Sequence, residues 1–191
     1  MACFNLATLA KDHATNGLNK QATGEADKLF ERVIREFPKF NQRHNAEREL
    51  DELRRMSIGN PAPEIEGLDL DGQPMRLSDY RGKVVLVYFW GRYYDQAEEH
   101  QKLVAAMAGR PFVIIGVTCD EKPATAKAIL EKHHITWPSF FDGRYWEGPI
   151  HAKWQVRKWP STYILDQNGV IRYRDLRWFK ELEEAVNSLL R

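Results

Sequence analysis

Apolar residues recur along this chain at two different periods, and the change from one to the other divides it. Up to residue 57 the spacing is helical. Ala2, Cys3, Phe4, Leu6, Ala7 and Leu9 read as one helix face, and Ala26, Leu29, Phe30, Val33, Ile34 and Phe37 form a second stripe that Pro38 ends. Asn45 to Met56 is predicted as another helix, with Leu50 and Leu53 turned inward. Two short amphipathic helices of this kind resemble one unit of a helical-repeat protein, and no second copy follows. Residues 1–57 therefore read as a helical, repeat-like extension. Ile58-Gly59-Asn60-Pro61-Ala62-Pro63 is a Gly/Pro-rich linker.

Across residues 58–191, strand patterns alternate with helical ones. Leu68 to Leu77 reads as a small hairpin around Asp71-Gly72. Ser78 to Lys83 is a polar connection. Val84-Val85-Leu86-Val87-Tyr88-Phe89-Trp90 is a continuous β-rich run, as expected of a central strand buried on both faces. A helix is predicted from Asp95, as N-cap, to Ala108, then a second buried strand from Phe112 to Val117. Pro123 to His133 reads as a helix with Pro in its first turn, and Pro149 to Trp154 as a short one. Thr162–Leu165 and Val170–Tyr173 are strands joined by Asp166-Gln167-Asn168-Gly169. Phe179 to Leu190 closes the chain as an amphipathic helix. Strands that alternate with helices pair in parallel through crossovers, and the closing hairpin adds antiparallel strands. The pattern predicts a three-layer α/β/α sandwich with a mixed central sheet.

Composition narrows this picture. With 191 residues the chain can build one α/β domain and a smaller appendage. A 43% apolar content excludes wholesale disorder, and a net charge of +1 with interspersed signs gives no nucleic-acid-binding face. No apolar run approaches the ~18 to 20 residues of a membrane span. No basic n-region opens the chain, so no secretory signal is read. Met1 reads as the start of a shortened chain, which leaves the compartment open.

The two cysteines, Cys3 and Cys119, sit in no CxxC or zinc-like spacing and read as unpaired thiols. Cys119 follows the second buried strand, near the top of the sheet. Acidic Asp120 and Glu121 disfavour its thiolate, so it reads as a partly buried structural thiol. No metal set is expected, since adjacent His133 and His134 point in different directions on a helix. His100 and Glu98-Glu99 read as solvated. Ser78 and Ser161 lack a partner base, and no glycine loop cradles phosphate. Trp137, Trp146, Trp154 and Trp178 read as packing residues, so no cofactor is expected.

The motifs themselves carry a resemblance. Pro61-Ala-Pro63, Asp69-Leu-Asp-Gly72, Leu77-Ser-Asp-Tyr-Arg-Gly-Lys83, the Val84–Trp90 run, Trp159-Pro160-Ser-Thr-Tyr-Ile-Leu-Asp166 and Asn168-Gly169-Val170-Ile171 together resemble the TlpA-type thioredoxin-like family. The alkyl hydroperoxide reductase/thiol-specific antioxidant superfamily lies close by. The resemblance covers roughly residues 58–191, and the helical extension is similar to that of some bacterial multidomain relatives. It implies a thioredoxin-like fold, a cis peptide before Pro160 and an extracytoplasmic setting.

It also implies a Cys-x-x-Cys pair at the start of the helix after the Phe89-Trp90 strand. There the first sulfur gains thiolate character from the helix N-terminus and the second resolves the mixed disulfide. In this chain the stretch reads Phe89-Trp90-Gly91-Arg92-Tyr93-Tyr94-Asp95-Gln96-Ala97, with Tyr94 and Ala97 at the two cysteine positions. The expectation is a non-catalytic module that binds or scaffolds a protein partner through a groove of Trp90, Tyr93, Tyr94, Trp159 and Pro160, the other reading of these aromatics being that they fill the space left by the disulfide. Two alternatives stay open. One is an oxidoreductase or antioxidant-type enzyme using Cys119, alone or with Cys3. The other is a variant in which only the cysteine loop was replaced.

Overall fold

The computed structural model describes residues 2–17, 20–37, 43–91 and 96–191. It divides into two compact units, Met1–Asn60 and Pro61–Arg191.

Among the described residues the first unit holds three helices, α1 (Ala2–Gly17), α2 (Lys20–Glu36) and α3 (Arg43–Met56). Their apolar stripes meet in one core of Ala7, Ala26, Phe30, Val33, Ala46, Leu50 and Leu53, with Phe4 edge-on to Phe30 at 6.0 Å. Lys11 of α1 is buried against α3, its ammonium 2.5 Å from Glu49 and 2.8 Å from Glu52. Leu6 and Leu9 of α1 are exposed.

In the second unit, β1 (Glu66–Leu68) and β2 (Pro74–Arg76) form an antiparallel hairpin. The Asp69 carboxylate accepts from the N–H groups of Asp71 and Gln73, and Gly72 takes a positive φ of 80° that suits glycine. The main sheet contains β3 (Val84–Trp90), β4 (Phe112–Thr118), β5 (Ser139–Phe141), β6 (Ser161–Leu165) and β7 (Ile171–Arg174). Its order is β5-β4-β3-β6-β7, parallel on the β5-β4-β3 side and antiparallel on the other. Strand β5 lies outside the sequence pattern, because three residues between Pro138 and Gly143 are too few to show a period.

Helices α4 (Ala97–Ala106), α5 (Pro123–Lys132) and α7 (Phe179–Leu189) cover one face, where Leu86, Tyr88 and Trp90 of β3 meet Leu103, Ala126, Leu182 and Val186. The short α6 (Pro149–Lys153) lies on the other face against Phe89. Alternation along β3 sends its even residues one way and Phe89 the other, so all seven are buried. Gly116 of β4 is required by this packing. A Cβ there would run into the Ser139 hydroxyl and lie 2.9 Å from the Trp90 indole nitrogen.

His100 corrects a sequence expectation. It is fully buried, edge-on to Tyr88 at 4.3 Å and 6.2 Å from Trp137. Burial pushes its imidazole down to about 4. Below pH 6.5 the unfolded chain binds a proton that the folded one refuses, so stability falls as pH drops from 6.5 toward 4. The full loss is about 3 kcal/mol. In denaturant titrations at pH 7 and pH 4.5, His100→Phe is expected to remove about 2 to 3 kcal/mol of the difference. An unchanged difference would place the titrating group elsewhere. Glu99, also expected in solvent, accepts from the Phe179 N–H at 2.8 Å and ties α4 to α7.

Candidate functional site

The end of the sheet at which β3 and β4 finish and β6 begins gathers the residues of interest. Strand β3 runs out through Trp90 into Gly91. The Cys119 N–H donates to the Trp90 carbonyl at 3.0 Å, continuing the β3–β4 ladder by one bond. The Cys119 carbonyl in turn accepts from Tyr145 N–H at 3.0 Å. The sulfur packs against Gly91, where a Cβ would lie 2.5 Å from Sγ and 3.7 Å from the Trp159 ring. Glycine at 91 is thus a steric requirement of the Cys119 sulfur, while the Trp159 ring lies at ordinary contact distance.

Cys119 is buried completely, deeper than its sequence surroundings implied, and both cysteines are free thiols. Burial, then the charge of Asp120, pushes the thiol up to about 12. Such a group is a small apolar filler with almost no thiolate.

Trp159 and Pro160 precede β6 and are joined by a cis peptide, in agreement with the family resemblance. Ser161 pairs with Phe89 of β3, and its hydroxyl donates to the Lys158 carbonyl at 2.9 Å. Trp159 is half-buried, and its ring lies 6.3 Å from that of Tyr145. Its indole N–H donates to His151 Nε2 at 2.8 Å. The other ring nitrogen of His151 is hydrogen-bonded to the Asp142 carboxylate. That carboxylate also accepts from the N–H groups of Ile150 at 2.8 Å and His151 at 2.9 Å, the second and third residues of α6. It caps a helix whose own cap position, Gly148, has no side chain. A Cβ at Gly148 would collide with the same carboxylate.

Of the expected groove, Trp90, Trp159 and Pro160 fall at one end of the sheet, but Trp90 is 1% exposed and points into the core. Tyr93 and Tyr94 lie outside the described residues. Ala97 is buried at the first turn of α4. Trp154 packs as expected, whereas Trp178 is 66% exposed, ahead of α7. His133 and His134 sit at the end of α5, and His134 lines a separate cleft of about 590 Å³ with Asp69, Lys127 and Ser139. Among the described residues no group of His, Cys, Asp and Glu could hold a metal ion, and no helix is long and apolar enough to cross a membrane.

Sequence reasoning missed Gly91, Asp142 and His151. The one available signal was the Gly148-Pro149 helix start, which leaves N–H groups in need of an acceptor and has no Ser, Thr, Asp or Asn beside it.

Comparison with known proteins places this geometry. Thioredoxin-like protein YneN of Bacillus subtilis is 30% identical over 120 residues, covering 60% of this chain and 68% of its own. Thiol-disulfide oxidoreductase ResA of Geobacillus kaustophilus is 27% identical over 121 residues, covering 61% and 68%. The thioredoxin domain of a thiol-disulfide oxidoreductase from Bacteroides vulgatus matches the fold with a TM-score of 0.65 at 25% identity, over 71% of this chain and 99% of that domain. The AhpC/TSA family model matches residues 58–174, from the linker to the end of β7, and with the fold above it establishes that this chain belongs to that family as a thioredoxin-like member of the TlpA type.

Proposed function

We propose that this chain is a redox-inactive thioredoxin-fold module that binds an extended polypeptide at the Trp159–Pro160 end of its sheet. One observation carries the reading. Cys119, at that end of the sheet, is fully buried and held as a thiol, and the sequence contains no other cysteine after Cys3. The relatives named as thiol-disulfide oxidoreductases supply the fold, but activity resides in the site rather than the fold. What remains is half-buried Trp159 beside Tyr145, with exposed Arg157 and Lys158 next to them. Trp, Tyr and Arg are the residue types that most often anchor polypeptide interfaces.

The test is selection of a random dodecapeptide display library on the immobilised protein, followed by affinity measurement of the recovered peptides. The expected result is binding that weakens at least about tenfold on Trp159→Ala, the loss typical of an interface anchor. Recovery of no binders, or of peptides indifferent to Trp159, would overturn the reading.

A further inference from the structure

The Asp142–His151–Trp159 chain is the most completely determined polar feature of this end of the sheet, and the proposed function leaves it unused. Chemistry sets its direction. An indole N–H can only donate, so His151 Nε2 is the acceptor and carries no proton. In a neutral imidazole the proton then sits on Nδ1, which donates to Asp142. With the two α6 N–H groups, Asp142 receives three hydrogen bonds through both oxygens and has no rotational freedom left. The His151 and Asp142 side chains are each 0% exposed, so a break anywhere strands a buried polar group. Phe89 of β3 backs the imidazole at 5.2 Å, and the indole meets it edge-on at 5.5 Å and 85°.

We propose that Asp142 and His151 are positioning residues for the partner site: they hold the Trp159 indole against Gly91, in the one orientation that receives a partner. The inference rests on the peptide-binding reading and adds to it the device that orders the anchor before binding. A preordered anchor loses less side-chain freedom when the partner arrives, which raises affinity with no added contact.

The first measurement leaves Asp142 and His151 unchanged. In ¹H–¹⁵N spectra of the full chain, with Trp159→Phe used only to assign the signal, the Trp159 indole N–H is expected to exchange slowly with water. His151 is expected as the Nδ1–H tautomer. Free exchange of the indole proton, or the Nε2–H tautomer, would overturn the proposal.

The second measurement uses His151→Phe, which keeps a ring but offers no acceptor, and Asp142→Asn as a milder change. Both are expected to speed indole exchange at least about tenfold, the worth of one buried hydrogen bond. Selected dodecapeptides are expected to bind these variants at least about threefold more weakly than wild type. If the indole is released while peptide affinity stays at the wild-type value, the chain is only structural and the proposal fails. If no peptide binds even the wild type, the peptide-binding reading fails, and the spectra still decide whether the network orders the indole.

Discussion

Replacing Trp154 with alanine is expected to lower the stability of the Pro61–Arg191 unit by about 4 kcal/mol, the usual cost of emptying a large aromatic site in a core. Trp154 has no exposed surface, and its ring lies 5.0 Å from Tyr163 and 5.4 Å from Phe89. It joins α6 to the sheet face opposite α4, α5 and α7. Against a total stability of about 5 to 15 kcal/mol, this single change removes a large fraction. For a chain of this length it corresponds to a drop in Tm of roughly 8 to 16 °C. Trp178→Ala is the matched control, since that ring is 66% exposed and its loss should stay within about 0.5 kcal/mol. Denaturant unfolding followed by far-UV circular dichroism compares the two. Equal effects would mean that α6 packs more loosely than its rings indicate.

The wild-type chain is expected to leave insulin disulfides untouched beyond the rate set by the added reductant. A thiol at about 12 is ionised in roughly one molecule in 10⁵ at pH 7, about three orders of magnitude below an ordinary cysteine, and its sulfur is buried. Tyr94→Cys with Ala97→Cys is expected to confer reduction that the wild type lacks, because Ala97 opens α4, where the helix N-terminus favours thiolate. Precipitation of reduced insulin measures both proteins. Wild-type activity that vanishes in Cys119→Ser would overturn the redox-inactive reading and favour an enzyme working through Cys119.

The fold was legible where burial leaves a period. The Val84–Trp90 run could only be a strand covered on both faces, and the stripe from Ala26 to Ile34 could only be a helix. The family motifs fixed the remaining topology, including Pro160 ahead of β6. What escaped the sequence is what depends on contacts between distant segments. His100 follows Glu98-Glu99 and looks solvated, yet Tyr88 and Trp137 enclose it from a strand and a loop. Trp178 has the composition of a core residue but lies outside the core. Asp142 and His151 follow no spacing rule, because a loop brings the carboxylate to a helix start several residues downstream. Of the candidate site, Trp159 and the cis bond to Pro160 were legible through the family motif, whereas the buried polar chain of Asp142 and His151, which belongs to no motif, was hidden.

The two outer strands of the main sheet bear on how this protein behaves in a crowded solution. Strand β5 is three residues long, and Phe140 is bridged by Asp69 from the β1–β2 hairpin. Strand β7 is four residues long and carries Arg172 and Arg174, while Pro61 bridges Val170 just before it and Ala62 N–H donates to the Gly169 carbonyl. Short, charged or covered margins are poor templates for stray β-chains, so lateral stacking into fibrils is disfavoured on both flanks.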